Sequence, residues 1–194
     1  MAKAEASKEI RRKQLIDATM RAIGRYGYAS LTLTHVAGEA GLSPGIVNFY
    51  FKSKDQLLIA TLENIAEDYS TFWQGAIVKG NVSPAAGLEA MIEADFHASV
   101  CNAEKVSVWY AFWAEARNNA TYQGLVMRLE EEYLKETERL CGRIVAEGGY
   151  DGVDAHQAAV GLNAMIDGLW FDCLMSPAKF DRQGAKRTCL AYLS

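Results

Sequence analysis

Between Thr32 and Ser53 the chain reads TLTHVAGEAGLSPGIVNFYFKS, and its start and stop signals are packed closely together. Thr32 or Thr34 is placed to cap a short helix, HVAGEA, which Gly41 stops. Ser43 is placed to cap another, with Pro44 at its first helical position. Ser53 resets the chain again. Signals this close leave room for helices of about two turns, and helices so short are not stable alone in water. They must pack on a neighbour. The upstream segment supplies one: Ile16, Met20 and Ile23 recur at helical spacing, flanked by Leu15, Thr19 and Ala22, and Gly27 ends the run.

The rest of the chain carries the same period. A long helix is predicted from about Lys54 into the seventies, and another from Ser83-Pro84 to about Val100. A third keeps Val126, Leu129, Tyr133, Thr137, Leu140 and Ile144 on one face and ends at Gly148-Gly149. Asp154 to Met175 is striped by Ala155, Ala159, Leu162, Ile166, Leu169 and Cys173. A last helix spans Lys179–Leu193 after the break at Ser176-Pro177. SLTLTHV alternates only briefly and lies between helix caps. The fold class is all-α, with an N-terminal domain over residues 1–53 and a helical domain over 54–194.

The overall charge of −4 hides a split. Met1 to Lys54 holds nine Lys/Arg against four Asp/Glu, a net of +5, and the remainder carries −9. Such asymmetry points to a polyanion at the front and a different partner behind. MAKAEASKEIRRK is charged and lacks the apolar segment of a secretory signal. The most apolar stretch, AAVGLNAMIDGLWFDCLM, is interrupted by Asn163, Asp167 and Asp172, so no membrane span is expected. Cys101, Cys141, Cys173 and Cys189 lie far apart, as free thiols of a cytoplasmic protein would. No metal-binding, phosphate-loop or nucleophile-elbow motif appears, which leaves a small helical enzyme a remote alternative and implies neither cofactor nor catalytic residue.

The three helices before Ser53 fit a helix-turn-helix, whose second helix enters the major groove of double-stranded DNA. Ser43, Pro44 and Gly45 are small enough for close approach to DNA. Asn48, Phe49 and Tyr50 reach further. Three successive aromatics cannot share one core face, because adjacent residues on a helix point about 100° apart. Phe51 is assigned to the core. Lys52 and Lys54, with Arg11, Arg12 and Lys13, supply charge for phosphates, and His35 is placed to touch one.

The stretch from Arg12 to Leu62 resembles the N-terminal domain of TetR-family transcriptional repressors. The pattern T-x-x-x-V-A-x-x-A-G-L-S-x-G-x-V/I-x-x-Y-F-x-x-K-x-x-L carries the likeness from Thr32 to Leu57. VWYAFWAEARNN and GLNAMIDGLWFDCLMSPAKFD resemble the ligand-binding domain of the BetI-like subgroup, repressors of choline-to-glycine-betaine genes. The resemblance implies that Thr32 and Thr34 touch phosphates and that Ser43, Gly45, Asn48 and Phe49 face the groove. It implies that Tyr50 and Lys54 clamp the backbone, and that the last two helices form a four-helix homodimer interface. Position 49 is often a polar residue such as His in that subgroup. Phe49 therefore reads thymine methyls or shape.

A repressor of this kind needs a small-molecule effector. Trp109 and Trp113 share a helix face, with Tyr110 and Phe112 beside them and Glu115 following. Trp170 and Phe171 sit beside Asp167 and Asp172. Aromatic faces hold quaternary ammonium groups by cation–π attraction, worth ~2 kcal/mol or more when desolvated, and a nearby carboxylate adds Coulomb attraction. Trp109, Tyr110, Trp113, Glu115, Asp167, Trp170 and Phe171 are thus candidate ligand residues for a choline-like cation. The same aromatics also suit a core, or a lipophilic ligand of the kind sensed by regulators of efflux or lipid genes. His97 is expected as a hydrogen-bonded core residue or a pocket wall, His156 in solvent. LEEEYLKETER, Leu129 to Arg139, reads as a solvated helix surface.

Overall fold

The computed structural model describes residues 2–80 and 83–194. Nine helices and no strand occur among the described residues: α1 Ala2–Tyr26, α2 Leu33–Ala40, α3 Pro44–Tyr50, α4 Lys54–Gly80, α5 Pro84–Asp95, α6 Ala103–Ala116, α7 Ala120–Gly148, α8 Ala155–Met175 and α9 Arg182–Tyr192. They divide into two compact units. One holds Met1–Ala66 with Ser107–Leu125, the other Glu67–Val106 with Val126–Ser194.

In the first unit α1 packs on α2 and α2 on α3. α1 buries Leu15, Ala18, Ala22 and Ile23 along one stripe. Its basic side chains tie it to α2, where Arg21 and Arg25 both reach Glu39. Thr32 caps α2 by accepting from the His35 amide at 3.2 Å. Gly41 closes α2 at φ +66°, a left-handed conformation that favours glycine, and the next amide, Leu42, returns to the Ala37 carbonyl at 2.9 Å. α3 is pinned from below by Val47 and by Phe51 just beyond its end, both fully buried. The Arg12 guanidinium lies 4.9 Å from the centre of the Phe51 ring. Ser53 starts α4 by accepting from the Gln56 amide at 3.2 Å. A ring cluster completes this unit: Tyr28 and Tyr122 share a hydroxyl hydrogen bond of 3.1 Å, and both pack edge-on to Phe112.

One expected cap is absent. Ser43 occupies the N-cap position of α3, but its hydroxyl makes no capping bond. Pro44 has no amide to offer, and the Ile46 amide is already taken by the Ser43 carbonyl at 3.0 Å.

In the second unit α9 packs on α5 and α8. Ser83 caps α5, and Asp154 caps α8 by accepting from the His156 and Gln157 amides. α8 buries Ala159, Leu162, Ile166, Trp170 and Cys173. Two helices are shorter than the sequence predicts. α5 ends at Asp95 because Phe96 leaves helical geometry, and residues 97–102 form turns held by His97 Nδ1 with Ser99 and by the Asn102 side chain capping α6. α9 starts at Arg182, where Asp181 stands at the N-cap position. His97 is consequently exposed in a turn, not a core residue. All four cysteines are free and buried.

α5 and α7 meet where a side chain on Gly87 would place its Cβ 3.0 Å from Leu140, itself buried. Overpacking a closed contact of this kind costs about 1–3 kcal/mol. Gly87→Val should lower the melting temperature in a thermal denaturation followed by circular dichroism, whereas Gly124→Ala, with open space around it, should not.

Candidate functional site

The surface of the first unit is set by which residues α3 does not need for packing. Val47 points inward, and Ser43, Pro44, Gly45, Ile46, Asn48 and Phe49 are exposed. Thr32 and Thr34, at the start of α2, are exposed too, and Tyr50 and Lys54 are partly so. The Phe49 ring stands edge-on to Tyr50, with centroids 5.3 Å apart at 78°. The Lys54 ammonium lies 5.8 Å from the Tyr28 ring centre. His35 is half-buried and stacks on Tyr26 at 4.2 Å, and its Nδ1 has no hydrogen bond. Thr32, Thr34 and the outward side of α3 therefore offer hydroxyls, an amide side chain and one aromatic ring, with Lys52 exposed beside them.

The aromatics named from the sequence separate into two groups. On α6, Trp109, Tyr110 and Trp113 cluster, with Trp113 6.5 Å from Trp109 and 5.0 Å from Tyr110. Trp109 is buried, Glu115 half-buried, and the Trp113 indole N–H is buried without a partner. These residues belong to the first unit. On α8, in the second unit, Trp170 is buried and Phe171 is 46% exposed, so these neighbours face different surroundings.

Trp170 belongs to a cluster that local sequence does not announce. Asp95, at the end of α5, has no exposed surface. Its Oδ1 accepts from the Tyr69 hydroxyl of α4 at 2.5 Å, and its Oδ2 accepts from the Tyr133 hydroxyl of α7. The Trp170 indole donates to the Asp95 backbone carbonyl at 3.1 Å. Tyr69 stacks against Tyr133 and meets Trp170 edge-on, and Trp73 meets Tyr133 edge-on. Glu130, one turn before Tyr133, and Asp167, one turn before Trp170, bring two further carboxyls into electrostatic contact with Asp95. Glu130 is half-buried, which corrects the reading of LEEEYLKETER as a wholly solvated surface: its row on α7 is that of Tyr133.

Burial sets the protonation of this group. It raises Asp95 to about 7, against the pull of the two tyrosine hydroxyls, and Asp167 and Glu130 add to the rise. Burial raises Glu130 to about 7, helped by Asp167, and raises Asp167 to about 6. Tyr69 and Tyr133 are pushed well above the usual tyrosine range by burial and then by Asp95, so they remain hydrogen-bond donors. The result is a group of acids, beside aromatic rings, that hold their protons to unusually high pH.

Comparison with known proteins bears on what such an arrangement does. Residues 84–194 match the family profile described as BetI-type transcriptional repressor, C-terminal, and residues 15–61 match that of the bacterial regulatory proteins of the tetR family. The chain is a member of the TetR family with a BetI-type repressor domain. It is similar to the HTH-type transcriptional regulator BetI of Paraburkholderia phymatum, 34% identical over 194 residues covering 96% of this chain and 92% of that one. A protein from Pseudomonas aeruginosa PAO1 described as a transcriptional regulator shares the fold with a TM-score of 0.82 and 27% identity, over 95% of this chain and 89% of that chain. A Saccharomonospora viridis protein solved in complex with choline has a TM-score of 0.80 at 19% identity, over 94% of each chain. Proteins of this family regulate transcription by binding DNA, and are not enzymes.

The raised acids make a stability prediction. Each holds its proton to higher pH when folded than when unfolded. From about pH 4 to 7 the native state binds the more protons, so stability falls as pH rises through that window. The melting temperature of the ligand-free protein should drop between about pH 4 and pH 7, and Asp95→Asn should flatten the slope.

Proposed function

We propose that this regulator is a repressor that binds a near-palindromic operator as a homodimer and is controlled by choline or a related quaternary ammonium compound. Its targets are genes of choline uptake or glycine betaine synthesis. Residues 1–53 read DNA, and residues 54–194 hold the effector and form the dimer. A protein with this task works in the cytoplasm, beside its DNA.

The observation that carries the effector reading is the desolvated carboxyl of Asp95, gripped by the Tyr69 and Tyr133 hydroxyls and bordered by Trp170, Asp167 and Glu130. An alkylated ammonium cannot donate hydrogen bonds. It is recognised instead by aromatic faces and by negative charge that need not be hydrogen-bonded to it. Acids whose ionisation is held back by burial avoid holding several buried charges at once, and ionise further when a cation arrives. The relatives named BetI and the choline complex of the Saccharomonospora viridis protein favour the same ligand class. The exposed Phe171 suits the dimer.

That dimer reading rests on α8. The helix is long and apolar enough to cross a membrane by length and composition, yet only 28% of its most apolar window is buried within one chain. Val160, Phe171 and Met175 on α8 and Tyr192 on α9 stand exposed. A second copy covers such a face by two-fold symmetry, and presents two α3 helices to half-sites about 34–36 Å apart or a multiple of that. Of the small residues on α8, Gly161 serves contact within the chain, since the Tyr192 ring leaves no room for a side chain there.

Choline should quench or shift the intrinsic tryptophan fluorescence, with an affinity that rises between about pH 5.5 and pH 8 as the acids give up protons. Its uncharged carbon isostere should bind without that pH dependence. Asp95→Asn should weaken choline binding about tenfold, a loss of ~1.4 kcal/mol. Operator binding that proceeds normally in a protein indifferent to choline at every pH would end the effector assignment. For the dimer, Val160→Glu with Met175→Glu should give a monomer in sedimentation analysis that no longer binds operator.

A further inference from the structure

We infer that α3 reads A·T pairs, with Phe49 making apolar contact to the 5-methyl group of thymine and Asn48 pairing with adenine. The inference rests on the operator-binding reading above and concerns which bases that reading selects. Its starting point is composition. α3 is PGIVNFY, and it contains no Arg, Lys, Gln, Asp or Glu. Guanine is read in the major groove chiefly by Arg or Lys at O6 and N7, and cytosine by a carboxylate accepting from N4. Neither reader is present on this helix. Asn48 is exposed, and an asparagine amide matches the donor and acceptor at adenine N6 and N7.

The remaining exposed side chains are apolar. Phe49 is 75% exposed and Ile46, three residues earlier, 37%. Residues three and four apart lie on one helical face, and helical side chains lean toward the N-terminus. The ring of Phe49 therefore leans over the turn that holds Ile46 and Gly45. Gly45 contributes no side chain, and the space above it is open apart from the Ser43 hydroxyl, 3.8 Å from where a Cβ would stand. Tyr50 meets the ring edge-on. The outcome is a smooth apolar pad on a helix followed at once by Lys52 and Lys54, in a chain whose first 54 residues carry a net charge of +5.

That charge selects a polyanion as the occupant rather than an apolar partner surface. Within the major groove of duplex DNA, the thymine methyl is the one apolar feature of the base edges. An apolar pad and an adenine-reading amide on adjacent residues match successive A·T pairs.

The test uses the full-length protein. An operator is first obtained by in vitro selection from random duplexes. Each thymine of a half-site is then replaced singly by deoxyuridine, which removes only the methyl group, and affinities are measured at fixed salt for the natural protein and Phe49→Ala. One or two replacements per half-site should weaken the natural protein about fourfold, the factor to which ~0.8 kcal/mol per buried methyl-sized group converts. The same replacements should leave Phe49→Ala unaffected. At those positions a 5-methylcytosine·guanine pair should bind better than cytosine·guanine in the natural protein alone. A selected operator that tolerates deoxyuridine everywhere, or one that loses equally in both proteins, overturns the inference and leaves operator binding standing. Failure to select any duplex overturns operator binding and this inference with it. Circular dichroism of Phe49→Ala checks that the exposed substitution leaves the fold intact.

Discussion

A carboxyl group sealed from water cannot be left to itself. Asp95 accepts hydrogen bonds from Tyr69 and Tyr133, and its backbone carbonyl accepts from Trp170. Three helices besides its own are thereby tied to one residue. Leaving a buried acid unpartnered costs several times what a typical hydrogen bond contributes. α4, α7 and α8 of the second unit are thus held in register by a requirement for polar satisfaction as well as by apolar packing. The same requirement keeps both tyrosine hydroxyls committed as donors and draws Glu130 and Asp167 close enough to interact. Stability and protonation both run through that one group.

The two units solve opposite electrostatic problems. The first places its cations on the outside, where water and counterions screen them and a phosphate backbone can displace those counterions. The second gathers anions inside, where screening is weak and a proton supplies the missing charge. Arg21 and Arg25 are partly neutralised by Glu39, so much of the positive charge on α1 serves to fasten α2. The charge free to meet a polyanion is therefore smaller than the formal count.

How much of this could be read from sequence differs between the two units. In the first, the determinants are local. Thr32, Gly41, Pro44 and Ser53 act within a few residues of themselves, so spacing alone delimits α2, α3 and the start of α4. Ser43 shows the limit of such reasoning: the position was right, but the amide it would have capped was already satisfied by a backbone carbonyl. The α8 stripe was also visible, because a buried helical face repeats along its own sequence. Asp95 was not. Its partners Tyr69 and Tyr133 lie 26 and 38 residues away on other helices. No periodicity links them, and a helix expected to run on to about Val100 left the acid unremarked within it. Glu130 was hidden differently, in a run of acidic residues whose solvated members masked the one on the Tyr133 row. The same early stop of α5 that places Asp95 at a helix end moved His97 into an exposed turn.

α3 owes its existence to very little of its own sequence. It has seven residues and no side-chain cap, and Val47 is its one buried position, with Phe51 anchoring the chain just after it. Its outward residues contribute little to holding the domain together. In a lineage of duplicated genes, those positions are free to change while the scaffold that carries them is inherited unchanged. Evolutionary change of this kind needs no intermediate that fails to fold.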